Sequence, residues 1–172
     1  MSRPTRIVLV GFMGAGKTTV GPEVARALDF GFRDLDRALE QRLGLTVPEL
    51  FRTRGEAAFR AEELAEARTA AGLERHVIAA GGGAFARDET REVLRSGAFS
   101  VWLRCGLDAI FDRIPTDGSR PLAMDRATIG ELFVQRESSY RQADRVVDAE
   151  QAPAEVARDV VLAYLTLPDE QG

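Results

Sequence analysis

The stretch Gly11-Phe12-Met13-Gly14-Ala15-Gly16-Lys17-Thr18 fits the pattern G-x-x-x-x-G-K-[ST] and lies between two readable elements. Upstream, Ile7-Val8-Leu9-Val10 is a continuous apolar run, as expected of a parallel strand buried on both faces. Downstream, Val20, Val24 and Leu28 recur at helical spacing. Glycines let backbone N–H groups turn inward around an anion, and the following helix adds its positive N-terminal end. Lys17 supplies a compact, mobile ammonium able to follow a transferring phosphoryl group. Thr18 supplies a hydroxyl for Mg²⁺, which prefers oxygen and keeps several waters. The plainer reading, a glycine-rich turn with a chance Gly-Lys-Thr, does not account for the strand–loop–helix context. The stretch is therefore expected to bind a nucleoside triphosphate.

Composition narrows the rest. A chain of 172 residues, 45% hydrophobic, fits one domain with a substantial core. Gly plus Pro (16 and 7 residues) is ordinary, which excludes collagen-like and disordered classes. A net charge of -4 argues against nucleic acid as a principal partner. The lone Cys105 excludes an intrachain disulfide framework, and with the single His76 it excludes a Cys/His zinc cluster. No apolar stretch approaches the roughly 18 residues that span a bilayer. Residues 1–6 run straight into the first strand pattern without an evident signal peptide, so the expected location is the cytoplasm. Of 23 basic residues, only Lys17 is a lysine. GC-rich coding explains most of the arginines, but not where the one lysine sits.

Beyond the loop, short apolar runs alternate with helical patterns. Gly31-Phe32-Arg33 reads as a brief extended segment leading into Asp34-Leu35-Asp36, with Leu35, Leu39 and Leu43 at i, i+4, i+8. Helices are expected over 47–53 and 56–71, 88–95, 107–114, around Ile129 to Tyr140, and over Val156 to Tyr164. Strands are expected at 77–80, 99–103 and 145–147. This alternation implies right-handed βαβ units around a parallel sheet, in which ligands bind beyond the carboxyl ends of the strands. The segments after those ends are Gly11–Gly16, Asp34/Asp36 and Gly81–Gly83, which locates one site.

Among phosphate-loop proteins, a GTPase reading fails because the chain has no asparagine and no second lysine for an Asn-Lys-x-Asp motif. Motor and transporter domains are generally larger and carry a strand ending in an acid, which none of the expected strands does. A small kinase remains. Asp34 and Asp36 lie at i and i+2, so an extended backbone would project both to one side. One carboxylate could position Mg²⁺ through its waters while the other accepts a hydrogen bond from an attacking hydroxyl. The plainer reading of Asp34 is a helix N-cap.

Gly-Phe-Met-Gly-Ala-Gly-Lys-Thr-Thr (11–19), Phe-Arg-Asp-Leu-Asp (32–36), Gly-Glu-Ala-Ala-Phe-Arg (55–60), Gly-Gly-Gly (81–83) and Arg-Pro-Leu (120–122) occur in that order. In order and spacing the chain resembles the shikimate kinase family over roughly residues 5 to 165. The resemblance implies an α/β, three-layer fold with five parallel strands in the order 2-3-1-4-5, and ATP-dependent phosphorylation of the shikimate 3-hydroxyl. It implies one domain over 1–167, with a substrate-binding helical region about 35–63, a mobile lid about 114–125 and a flexible tail at 168–172. Lys17, Asp36 and Arg120 are then the catalytic candidates. ATP contacts are expected from Gly11, Met13, Gly14, Ala15, Gly16, Lys17, Thr18, Thr19, Arg113, Arg120 and Pro153, with Arg113 against the adenine. Shikimate contacts are expected from Asp36, Arg60, Gly81, Gly82, Gly83 and Arg136, the two arginines holding the carboxylate. Mg²⁺ would meet Thr18 directly and Asp34 through water. The expected partners are ATP and shikimate, with no nucleic acid or membrane, and the expected state is a monomer. A related gluconate or nucleotide kinase, or a silent ATP-binding module, is the alternative.

Three departures from the family pattern stand out. Ala80 lacks the hydroxyl or larger side chain often placed before the triple glycine. Ala123 replaces a usual leucine. Residues 147–153 carry no basic side chain.

The residues support some of these roles without the resemblance. Arg136 lies seven residues after Ile129, on the stripe of Leu132, Phe133 and Tyr140, and an arginine on an apolar face needs a partner or a ligand. Its plainer reading is a buried ion pair. Arg60, among Glu56, Glu62, Glu63 and Glu66, reads alone as part of a solvated face, as does the acidic cluster itself. Arg120 sits in a loop flanked by Pro115, Gly118 and Pro121, plausible for a hinged segment. Trp102 and Cys105 fall on or just after a buried strand and read as structural.

Overall fold

The computed structural model describes residues 3–114 and 125–168. Strand β1 (Arg6–Val10) is buried at every position, as its uninterrupted apolar run requires. It is the centre of a five-stranded sheet in the order β2-β3-β1-β4-β5, with β2 (Gly31–Asp34), β3 (His76–Ala79), β4 (Ala98–Arg104) and β5 (Arg145–Asp148). Every pairing is parallel; Leu9 stands beside Ala79 on one side and Val101 on the other. The expected strand order is thus observed. Two strands run one residue beyond the expected segments and terminate in an acid, against the expectation that none does: β2 in Asp34 and β5 in Asp148.

Crossover helices cover both faces. They are α1 (Lys17–Leu28), α2 (Leu35–Leu43), α3 (Val47–Ala71), α4 (Asp88–Arg95), α5 (Leu107–Arg113), α6 (Arg126–Tyr140) and α7 (Pro153–Leu165). The main core takes in β1, β3, β4 and the inner faces of α1, α6 and α7, including Val20, Val24, Ile129, Tyr140 and Val160. A second, smaller cluster of Leu39, Leu50 and Phe59, flanked by Leu43, Val47 and Phe51, holds α2 against the first half of α3. The α2–α3 arm of the molecule is therefore built on its own small core.

The two helices expected over 47–53 and 56–71 form one continuous element with a break at Gly55 (φ 81, ψ 173), a conformation open almost only to glycine. Its N-terminus is closed by a capping box. Thr46 Oγ1 accepts from the Glu49 N–H, and the Glu49 carboxylate accepts from the Thr46 N–H at 2.7 Å. Arg120, Ala123 and nearly all of the expected lid segment lie outside the described residues, as do the last four residues of the expected tail.

Candidate active site

Two cavities meet at the carboxyl edge of the sheet and share Met13, Thr18, Asp34, Asp36, Gly81 and Gly82 as a common wall. The first, about 490 Å³, is lined by Met13 through Val20, Arg113, Ala149, Gln151, Pro153 and Val156, along with the shared residues. The chain enters it through Gly11, whose φ of +151° and proximity to Leu103 O (2.7 Å from where a Cβ would stand) leave no room for a side chain. Gly11 therefore lies beneath the loop rather than on the cavity surface.

Lys17 Nζ donates to Gly11 O at 2.6 Å and Phe12 O at 3.0 Å, so the ammonium is folded back over its own loop. Thr18 Oγ1 donates to Asp34 Oδ2 at 3.0 Å, while Asp34 Oδ1 accepts from the Arg37 N–H at 3.1 Å and caps α2. The helix-cap reading of Asp34 holds, and its other carboxylate oxygen accepts from Thr18 beside the phosphate loop. The pair does not, however, alternate along an extended strand. Asp34 ends β2 and Asp36 lies in the first turn of α2, where the helix end favours an acid. The strand-to-helix turn brings both carboxylates to the shared wall.

Arg113 spans the outer end of this cavity. It donates to Gly14 O at 3.4 Å and Ala149 O at 3.0 Å, tying the phosphate loop to the segment before α7. Pro153 begins α7 on the opposite lip.

The second cavity, about 410 Å³, is floored by Gly81, Gly82 and Gly83 and walled by side chains of α2, α3 and α6. A Cβ on Gly81 would stand 2.8 Å from Asp36 Oδ1, and one on Gly83 would stand 2.8 Å from both terminal nitrogens of Arg60 and 3.1 Å from Arg136 Nη2. The glycines thus let one carboxylate and two guanidinium groups rest directly on backbone. Arg136 is buried, 7% exposed, above the face of Phe12 at 5.5 Å. The acid that acts on it is Glu63, which is itself bonded to Arg60, so Arg136 shares that carboxylate rather than holding one of its own. Burial pushes its pKa down, only partly offset by Tyr140. Tyr140, its phenol pushed up to about 12 by burial, donates to Gly82 O and holds the glycine floor from below.

Arg60 is only 13% exposed, contrary to the solvated-face reading. It pairs with Glu63 at 2.8 Å, lies 3.6 Å from Glu56 and covers the Phe59 ring at 5.0 Å. The acidic cluster is not a solvated face either: Glu63 and Glu66 are 2% and 1% exposed. Burial raises the pKa of Glu63, against the pull of Arg60. Their signal lay in the spacing. Phe59, Glu63, Glu66, Ala67 and Ala70 share one helical stripe, so the two acids occupy core positions. Two guanidinium groups, with Glu63 buried beside them and Glu56 exposed at the rim, put cationic groups at one end of the cavity, opposite a carboxylate at Asp36. That distribution suits a small molecule with an anion at one end and a hydroxyl at the other.

The shikimate kinase family model matches residues 13–165. The chain belongs to the shikimate kinase family. A shikimate kinase of Bordetella pertussis is 44% identical over 151 residues, covering 86% of this chain and 72% of that protein. Among solved structures, the shikimate kinase of Acinetobacter baumannii in complex with shikimate superposes with a TM-score of 0.91 at 31% identity, covering 94% of this chain and 93% of that one. A gluconokinase of Sinorhizobium meliloti, at 20% identity and a TM-score of 0.62 over 96% and 94% of the two chains, shares the fold alone. Family membership also favours the acceptor-kinase reading of the two joined cavities over a silent nucleotide-binding module.

Proposed function

We propose that the chain transfers the γ-phosphoryl group of ATP to the 3-hydroxyl of shikimate, giving shikimate 3-phosphate and ADP. Phosphorylation of shikimate in aromatic amino-acid biosynthesis is the activity of its family. The observation that carries the finer reading is the position of Asp36: it stands on the wall common to both cavities, opposite Arg60 and Arg136 in the second. A substrate whose carboxylate rests on the two guanidinium groups would turn a hydroxyl toward Asp36 and the phosphate loop.

In this reading the loop N–H groups of Met13 to Thr19 and the start of α1 cradle the phosphates. Lys17 leaves its carbonyl partners and follows the γ-phosphoryl group, which carries spread charge through a loose transition state. Asp36 orients the hydroxyl and accepts its proton as the new P–O bond forms and the bond to the β-phosphate oxygen breaks. Arg113 and Pro153 flank the base. Arg60, Arg136 and the N–H groups of Gly81, Gly82 and Gly83 hold the acceptor. Arg120 enters on the resemblance alone, with the phosphates as its target.

The donor chemistry at Thr18 and Asp34, a hydroxyl and a carboxylate oxygen 3.0 Å apart beside the phosphate loop, fits Mg²⁺, which is held largely by waters and substrate phosphates. When bound it would neutralise phosphate charge, with Thr18 as direct ligand and Asp34 acting through water. Ala80 offers no hydroxyl to that water shell. We propose action as a monomer. Among the described residues no helix is long and apolar enough to cross a membrane, and we place the reaction in the cytoplasm.

ADP release with ATP and Mg²⁺ tests the reading, using shikimate, gluconate and nucleoside monophosphates as acceptors. Turnover that depends on shikimate is expected. Turnover on another acceptor without turnover on shikimate would overturn the assignment.

A further inference from the structure

Glu66 is a buried carboxylate that the proposed reaction does not use. Its side chain is 1% exposed, and both of its oxygens are engaged by arginines from other elements. One oxygen accepts from Nε of Arg33, on β2, at 2.8 Å and also from its Nη2. The other accepts from Arg42, on α2, at 3.4 Å, and Arg42 also bonds Glu62 at 2.8 Å. A single carboxylate on α3 thus fastens the end of β2 and the last turn of α2.

Those are the elements that carry the two ends of the acceptor cavity. Arg33 immediately precedes Asp34, and α2 begins with Leu35 and Asp36. Arg60 and Glu63 lie on α3, the latter one turn before Glu66 on the same buried stripe. Elsewhere in this region the two arms meet through the small apolar cluster of Leu39, Leu50 and Phe59, which is non-directional, and through the Val47 N–H, which donates to Glu40 at 2.9 Å near the start of α3, far from the β2 end that Glu66 also fastens. Charge-assisted guanidinium–carboxylate hydrogen bonds are directional, and a carboxylate held by one arginine at each oxygen constrains the separation of the elements that carry them.

We propose that Glu66 is a positioning residue that sets the span between Asp36 and the Arg60–Glu63 pair, and so tunes recognition of the acceptor without touching it. The inference rests on the reading of the second cavity as the shikimate site. A ligand gripped at two ends loses affinity when the grips are no longer held at the right distance. Apart from the wall it shares with the second cavity, the nucleotide cavity is built on the phosphate loop, α1, the end of β3, Arg113 and the segment before α7, and Glu66 bonds none of these.

Glu66→Gln preserves volume and one acceptor oxygen while removing the charge. Steady-state kinetics on the full chain should show the KM for shikimate rising about five-fold or more, with the KM for ATP staying within about two-fold of wild type. A purely structural role would not give this split, because a smaller folded fraction lowers apparent kcat and moves neither KM. Arg42→Gln, at a side chain 43% exposed, covers the case in which Glu66→Gln does not fold. It should raise the shikimate KM about two-fold or more through the same anchor. A shikimate KM that stays at the wild-type value in the folded variants overturns the inference while leaving the proposed function standing. Wild-type enzyme that shows no shikimate turnover overturns both.

Discussion

The two cavities are built in different ways. The nucleotide cavity is mostly backbone: the six residues after one strand form its loop, and the helix that follows supplies its field. The acceptor cavity is mostly side chains, drawn from α2, both halves of α3 and α6 onto a glycine floor. The first rests on the main core, whereas much of the second rests on a small satellite cluster. Backbone recognition can be written in one short motif. Side-chain recognition needs distant helices to be correctly placed.

Substitutions in the two regions should therefore fail differently. The largest effect is expected from Lys17→Arg, which keeps the charge but not the compact head. Its kcat should fall about a thousand-fold or more with the thermal transition little changed, and near-normal kcat would refute the role given to this lysine. Asp36→Asn, at the junction, should lower kcat by about 10²–10⁴ in the same assay. A variant with wild-type kcat would remove Asp36 from the chemistry. Arg136→Met belongs to the acceptor side alone. It should raise the shikimate KM about 30-fold or more while leaving the ATP KM near wild type, and equal changes in both would erase the distinction between the cavities.

Smaller effects sharpen the comparison. Gly83→Ala places a methyl against the Arg60 and Arg136 nitrogens, so the shikimate KM should rise about ten-fold with kcat less affected. Unchanged shikimate kinetics would mean that the two guanidinium groups do not need their place on the floor. The least effect comes from Glu49, whose carboxylate is held below its ordinary value mainly by the Thr46 N–H. A depressed pKa stabilises the folded chain above the unfolded value and ceases to do so as pH falls through the folded one. Glu49→Ala should lower Tm by about 2–4 °C at pH 7, and the gap should close as the medium is acidified through the carboxylate range. A gap that does not depend on pH would show that the cap acts through packing instead.

How much of this was legible in the sequence follows the same division. Strand β1, the loop and α1 could be read directly, because periodicity and a contiguous motif specify them, and the position of the single lysine pointed the same way. The break at Gly55 was visible as an interruption between two helical patterns. Glu63 and Glu66 were misread because acids beside an arginine on a helix usually face water. Their spacing with Phe59, Ala67 and Ala70 marks a buried stripe, and the packing of α3 against α2 and β2 puts that stripe in the core. The end of β2 was misjudged by one residue, since the strand-to-helix turn at Asp34 is set by its side-chain cap rather than by hydrophobic periodicity. Arg136 was legible as an anomaly, an arginine beside Tyr140 on an apolar stripe, but the glycine floor that completes its surroundings comes from 54 positions upstream, and only the fold brings it there.

The central claim is that the second cavity reads the acid end of shikimate with Arg60 and Arg136 and presents its hydroxyl to Asp36. ADP release measured with shikimate and with its methyl ester, at saturating ATP and Mg²⁺, tests this most directly. The account predicts turnover with shikimate and a KM raised about 30-fold or more for the ester, which lacks the charge the guanidinium groups bind. An ester used as well as shikimate, or no release with shikimate, would contradict it.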